Sequence, residues 1–222
     1  MLFTHPEIEK PIDTEEPSFH TLVIESPSLF RRLLTDVSEQ IGGSEGQAVL
    51  SVSYKPVEFS KSAEILDGFL PFEINRRPLL TKVCAALEKN AVSPEHMPLT
   101  LQRLSELESY LMDLSFDFPC DIVFSKLNVG ALLKAAAPVL RCDSDRLSEQ
   151  ILDYMELVME FDRQKLFITV NLRSYIEDEE FFRFSETVLS HGYHVLAIEN
   201  REFPRAAREK RIVIDRDLCE IT

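Results

Sequence analysis

"HTLVIESPSLFRRLL", residues 20–34, passes from an apolar run to an amphipathic one across Ser26-Pro27. Residues 21–25 are β-rich and do not alternate cleanly, which suits a strand buried on both faces of a parallel sheet. Ser26 has the side chain of an N-cap and Pro27 the fixed φ of a first helical residue. Leu29, Phe30, Leu33, Leu34 and Val37 then recur at helical spacing and are expected to face inward, with Gly42-Gly43 ending the helix. In α/β proteins such a strand-to-helix turn is where nucleotide phosphates meet the free N–H groups of a helix start. Here the turn has neither glycine nor lysine, and Glu25 stands where a phosphate would approach. The chain has no GxxxxGK[ST] motif. "IGGSEG" (41–46) follows a helix and precedes a strand, so it reads as a turn. No nucleotide is expected to bind.

Two further runs, 166–171 and 194–200, repeat the both-faces-buried pattern, and 211–215 is a fifth strand candidate after the alternating "AVLSVSY" at 48–54. The helix between 166–171 and 194–200 opens on acids and closes on Gly192, which makes a βαβ unit. From about 75 to 162 the pattern changes to helices: "NRRPLLTKVCAALEKNAV", "PLTLQRLSELESYLMDL", "VFSKLNVGALLKAAA" and "SDRLSEQILDYMELVMEF". The expected fold class is therefore α/β. A mostly parallel sheet domain over 1–72 and 163–222 is interrupted by an all-helical insertion over 73–162.

The 222 residues carry a formal charge of −14, which argues against unaided nucleic-acid binding. The charge is uneven, however: "REFPRAAREKRIVIDR" (201–216) holds six bases against three acids. No apolar run reaches the roughly 18 residues needed to span a bilayer, and the polar, acidic start does not read as a signal peptide. A cytoplasmic protein without membrane contact is the expectation. Cys84, Cys120, Cys142 and Cys219 form no CxxC pair, so reduced thiols are expected rather than zinc or disulfides.

Catalytic motifs are missing: there is no GxSxG elbow and no HExxH helix. His191 and His194 lie three apart at a helix-to-strand turn, where capping or surface roles suit them better than ligation. Asp113, Asp117 and Asp121 recur at intervals of four where the second long helix frays near Pro119. Carboxylates sharing a helix face repel unless a cation neutralises them, and calcium accepts the irregular oxygen geometry of such a junction. Asp143 and Asp145 precede the last helix of the insertion, where helix capping is the alternative to cation binding. For Arg201, Arg205, Arg208, Lys210 and Arg211 the alternatives are phosphate contact and a solvated loop that offsets nearby acids.

Read in order, "FTHPEIEKPI" (3–12), "LVIESPSLFRRLLTDVSEQIGG" (22–43), "NRRPLLTKVCAALE" (75–88), "KLFITVNLRSYIEDEE" (165–180) and "IVIDRDLCEI" (212–221) resemble the small non-integrase adaptation protein of type II-A CRISPR–Cas systems. The resemblance is colinear over nearly the whole chain. It implies an α/β head, distantly like a nucleoside-triphosphatase core without its phosphate loop, carrying an inserted helical leg. It implies a homotetrameric ring, acidic outside and basic within, that threads linear double-stranded DNA without enzymatic activity. Calcium would hold that ring in shape. Its partners would be the CRISPR integrase pair and the RNA-guided nuclease. On the family pattern Asp113 and Asp117 match calcium ligands, followed by Asp121, Asp143 and Asp145, while Arg141 stands where an acid is expected. The channel bases would be Arg201, Arg205, Arg208, Lys210 and Arg211, then Arg163 and Lys165. A ring reconciles net acidity with DNA binding, because exposed charges farther apart than about 8 Å are screened at physiological salt. The alternative is a protein-interaction scaffold of the acquisition complex with only weak DNA contact.

Overall fold

A computed structural model describes residues 1–14, 18–162 and 164–221. In chain order the elements are β1 (Leu2–Thr4), β2 (Ile12–Asp13), β3 (Phe19–Ile24), α1 (Pro27–Ile41), β4 (Val49–Val52), β5 (Lys55–Pro56), α2 (Phe59–Ser62) and β6 (Ala63–Leu66). There follow α3 (Arg77–Ala91), α4 (Met97–Ser115), α5 (Val129–Ala136), α6 (Leu147–Phe161), β7 (Leu166–Val170), α7 (Asp178–His191), β8 (His194–Glu199), β9 (Glu209–Ile214) and β10 (Glu220–Ile221). The chain divides into two units, Met1–Glu73 with Cys142–Thr222, and Ile74–Arg141.

In the first unit a six-stranded sheet has the order β10-β9-β3-β8-β7-β6. All its pairs are parallel except the short β10 on β9. β3 is thus central: Thr21 pairs with Ala197 of β8 on one edge and with Arg211 of β9 on the other. Every residue of β3 and of β7 is buried, as the lack of alternation in their sequences requires. On one face Leu22, Ile24, Ile168, Leu196 and Ile198 pack with Leu29, Leu33 and Val37 of α1. Phe3 and Leu50 join that core from a small antiparallel sheet of order β2-β1-β4-β5. Phe19 meets Phe181 and Phe184 of α7, with ring centroids 5.2 and 6.2 Å apart in edge-to-face geometry.

The turn after β3 is closed as its sequence predicts. Ser26 Oγ accepts from Leu29 N at 3.5 Å, and Pro27 opens the helix. Phe30 and Leu34 are half-buried at the core margin rather than inside it.

Helix α6, expected in the insertion, belongs to the first unit. It buries Ile151, Tyr154, Met155 and Val158, a stripe at helical spacing. The Tyr154 hydroxyl donates to Glu64 of β6, and its ring stands edge-on to Phe72 at 5.7 Å. The second unit then holds three helices. A helix expected from 123 starts only at Val129, because Asn128 Oδ1 accepts from Ala131 N at 2.8 Å and caps it there. Within this unit Leu79 is the one apolar side chain buried among the described residues, whereas Met112, Leu114, Phe116, Phe118 and Val123 are exposed.

Leu33→Ala should lower the free energy of unfolding by about 2–5 kcal/mol, because Leu33 is fully enclosed. Leu34→Ala at the core margin should cost distinctly less, and urea denaturation of the two variants measures the difference.

Candidate nucleic-acid interface

Five of the six bases of 201–216 fall on the connection from β8 to β9 and on β9 itself, and Arg216 lies in the turn beyond β9. Because these strands flank β3, the connection must cross it, and residues 200–208 form no regular element. Two buried arginines hold this segment by its backbone. Arg173, in the 3-10 turn Leu172–Ser174 that follows β7, is 4% exposed and donates from Nη1 to the Pro204 carbonyl at 2.6 Å. Arg211 of β9 is 6% exposed and donates from Nη1 to the Phe203 carbonyl at 2.7 Å.

Each buried guanidinium also has a carboxylate. Arg173 pairs with Asp178 in the first turn of α7. Arg211 bonds Glu209 Oε1 through Nε at 2.7 Å and through Nη2 at 2.6 Å, with Glu202 at 3.4 Å. Glu209 Oε2 accepts from Ala206 N at 2.8 Å, which ties the far end of the connection to the same pair. The guanidinium carbons of Arg173 and Arg201 each lie over the Phe203 ring, 4.7 Å from its centroid. The outcome is an ordered segment that presents Arg201, Arg205, Arg208 and Lys210 at the surface.

The predicted bases therefore separate by environment. Arg211 sits inside, engaged with carboxylates and a carbonyl. Lys165, 7% exposed, donates to the Lys61 carbonyl at 2.9 Å and pairs with Asp162 at 3.2 Å. Arg163 lies outside the described residues. Arg173 was not among the sequence candidates, since an arginine in "NLRSY" carries no signal of where its side chain goes.

Glu199, at the end of β8, completes the buried network. Its Oε1 accepts from Arg173 N at 3.2 Å, while Oε2 is buried without a hydrogen-bond partner. Burial pushes its carboxyl up to about 7, against the opposing pull of Arg173 and Arg201.

The five candidate calcium ligands divide between the two units. Asp113 lies in the last turn of α4, Asp117 in the turn beyond it, and Asp121 in the following irregular stretch, all exposed. Asp143 and Asp145 are exposed in the other unit. Among the described residues no group of three or more His, Cys, Asp or Glu side chains is placed to hold a metal ion. His191 and His194 also part: His191 Nδ1 lies 2.9 Å from the Thr187 carbonyl, and His194 Nδ1 lies 2.9 Å from that of Thr14. The four cysteines are free thiols. No helix among the described residues is long and apolar enough to cross a membrane.

A family model described as CRISPR-associated protein (Cas_Csn2) matches residues 40–218, most of the chain. The chain belongs to the Cas_Csn2 family. The match takes in β6 to β9 and the whole basic connection, and it begins within α1. Comparison with curated proteins found no match. Family membership supports a role in the adaptation stage of a CRISPR system.

The raised Glu199 carboxyl sets a pH dependence of stability. Its proton is held more tightly in the folded state than in the unfolded one, where the value is near 4.5. Its contribution is therefore complete below about pH 4.5 and is lost as pH rises through about 7, with an upper bound on the order of 3 kcal/mol. Glu199→Gln keeps the acceptor for Arg173 N and removes the titration. Urea denaturation at about pH 5 and about pH 8 should show a smaller loss of stability in the variant than in the parent. Equal losses would refute the assignment.

Proposed function

We propose that this Cas_Csn2 protein binds linear double-stranded DNA without cutting it, as a homotetrameric ring that supports spacer acquisition. The observation that carries the proposal is the basic segment 201–210, fixed by Arg173 and Arg211 so that its remaining bases lie on the surface. Ordered cations suit phosphate contact, since their arrangement is settled before binding. Contacts of this kind are to the backbone and independent of sequence. A duplex in a ring would meet the segment from every subunit, which multiplies a contact that one acidic chain offers only weakly.

Self-association is supported by the second unit. Its exposed phenylalanines and aliphatic side chains form the sort of surface that a subunit interface covers. Calcium belongs to this proposal as the ion that would hold the ring in shape, with Asp113 and Asp117 as its first candidate ligands. The integrase pair and the RNA-guided nuclease remain the proposed protein partners. The net charge of −14 favours a second reading, a scaffold of the acquisition complex that scarcely touches DNA.

Gel shift with linear and closed-circular DNA, in calcium and in chelator, separates the two. Linear DNA should be retained in preference to closed circles, and labelled DNA should stay intact in magnesium or manganese. Reversing charge at Arg201, Arg205 and Arg208 together should weaken binding by at least about tenfold, with circular dichroism confirming that the variant is folded. Unchanged affinity would leave the scaffold. Light scattering in calcium and in chelator tests the tetramer: a species of one-chain mass in both would exclude the ring.

A further inference from the structure

Two buried polar atoms of opposite character lack a hydrogen-bond partner among the described residues. One is Arg173 Nε, a donor, and the other is Glu199 Oε2, an acceptor on a fully enclosed side chain. They belong to one cluster, since Glu199 Oε1 accepts from Arg173 N at 3.2 Å. A buried donor and a buried acceptor left unmade in the same cluster call for an explanation. An ionised carboxylate would attract the guanidinium, whereas a neutral carboxyl has no such pull. The arrangement is that of a carboxyl carrying its proton, with the guanidinium engaged elsewhere.

Elsewhere is the basic connection. Arg173 Nη1 donates to the Pro204 carbonyl at 2.6 Å, Nη2 pairs with Asp178, and the guanidinium carbon stands 4.7 Å from the Phe203 centroid. Neighbouring anchors do not involve Glu199: Asn171 Oδ1 accepts from Asn200 N at 3.0 Å, and Glu209 Oε2 accepts from Ala206 N at 2.8 Å. What depends on Arg173 is the Phe203 ring and the Pro204 carbonyl. Arg201 lies over that ring, and Arg205 follows Pro204 directly.

The charged groups acting on Glu199 come from three places. Burial raises its carboxyl to about 7, Arg173 and Arg201 pull the other way, and Glu209 of β9 adds to burial. On α7, Asp178 meets the guanidinium, while Glu180 turns to Ser148 N at 3.1 Å. β3 stands beside Glu199 with Val23 in register and brings no charge. Arginines keep their charge throughout the neutral range. A change in this segment near neutrality has to come from another group, and Glu199 is placed to supply it.

From the two unpartnered atoms and the bonds that Arg173 makes instead, we infer that Glu199 is a positioning residue for DNA binding. Protonated, it leaves Arg173 on the connection; ionised, it draws the guanidinium off Pro204 and Phe203 and loosens the segment. The inference rests on the DNA-binding proposal. Ionisation also adds a negative charge near Arg201, which weakens the field that a phosphate meets. Both effects act in one direction, so affinity falls as pH rises. By linkage, bound DNA in turn favours the protonated carboxyl.

Fluorescence anisotropy with a labelled linear duplex tests this at equal ionic strength, at about pH 6 and about pH 8, on either side of the Glu199 titration. The parent should lose affinity several-fold between the two. Glu199→Gln, which cannot ionise, should keep at the higher pH the affinity that the parent has at the lower one, with circular dichroism confirming that it is folded. Histidines also titrate in this range, and the variant removes only the share of the carboxyl. Equal pH dependence in parent and variant, or none in the parent, would overturn the inference and leave the DNA-binding proposal standing.

A second measurement needs no variant at Glu199. The Arg173 amide, which donates to Glu199 Oε1, follows the titration of the carboxyl by NMR of the parent. Its midpoint should rise when the duplex is added, and an unmoved midpoint would equally overturn the inference. If the parent binds no DNA at either pH, amide exchange of the connection at about pH 8 separates the two ideas. Slower exchange in Glu199→Gln than in the parent keeps the coupling of Glu199 to the segment and removes the DNA-binding proposal, whereas equal exchange removes both.

Discussion

The rest of the first unit depends on β3 being hydrogen-bonded along both edges and buried on both faces. A strand so placed can carry no exposed charge and little alternation, and six consecutive buried residues, Phe19 to Ile24, meet that condition. Its neighbours are the late strands β8 and β9, so the sheet cannot form until the two ends of the chain have met. That requirement makes the fold dependent on contacts distant in sequence. It also forces the connection from β8 to β9 to pass over β3, which places the basic segment where it lies.

The same geometry explains why the strand-to-helix turn and the charged site are in different places. At the end of β3 the helix start is closed by Ser26 and Pro27, with no glycine to let a phosphate approach the backbone. At the ends of β7 and β8 the space is filled instead by Arg173, Glu199 and Asp178. Buried arginines are costly to desolvate and persist where carboxylates and carbonyls take up their donors. Here each spends one donor on a carbonyl of the crossing segment. Charge in the interior is thereby converted into order at the surface, and family membership in Cas_Csn2 gives that order a setting in CRISPR adaptation.

Much of the fold was legible in advance. β3, β7, β8 and β9 were visible as apolar β-rich runs, and α1 was visible down to its capping serine, because these patterns are local. β1, β2, β5 and β6 were not, since two to four residues are too few to show a period. For α5, alanine and leucine at 123–137 satisfy a longer helical pattern that Asn128 interrupts with one side-chain bond. Helix α6 continues the helical run of the insertion in sequence, and helical periodicity says nothing about the partner of its apolar stripe. Only Tyr154 reaching Glu64 and Phe72 shows that its partner is the sheet unit.

For the site, the sequence by itself determined where positive charge is concentrated, that the phosphate-loop chemistry is missing, and which family the chain resembles. Composition and motif spacing are properties of the chain, so they survive any folding. Tertiary structure alone decided which cations are interior and which exposed. It placed Arg211 and Lys165 among buried partners, brought Arg173 to the Pro204 carbonyl 31 residues away, and raised the Glu199 carboxyl by enclosing it. Burial and partnership arise only when distant segments meet, and the ionisation and reach of a charged side chain follow from both.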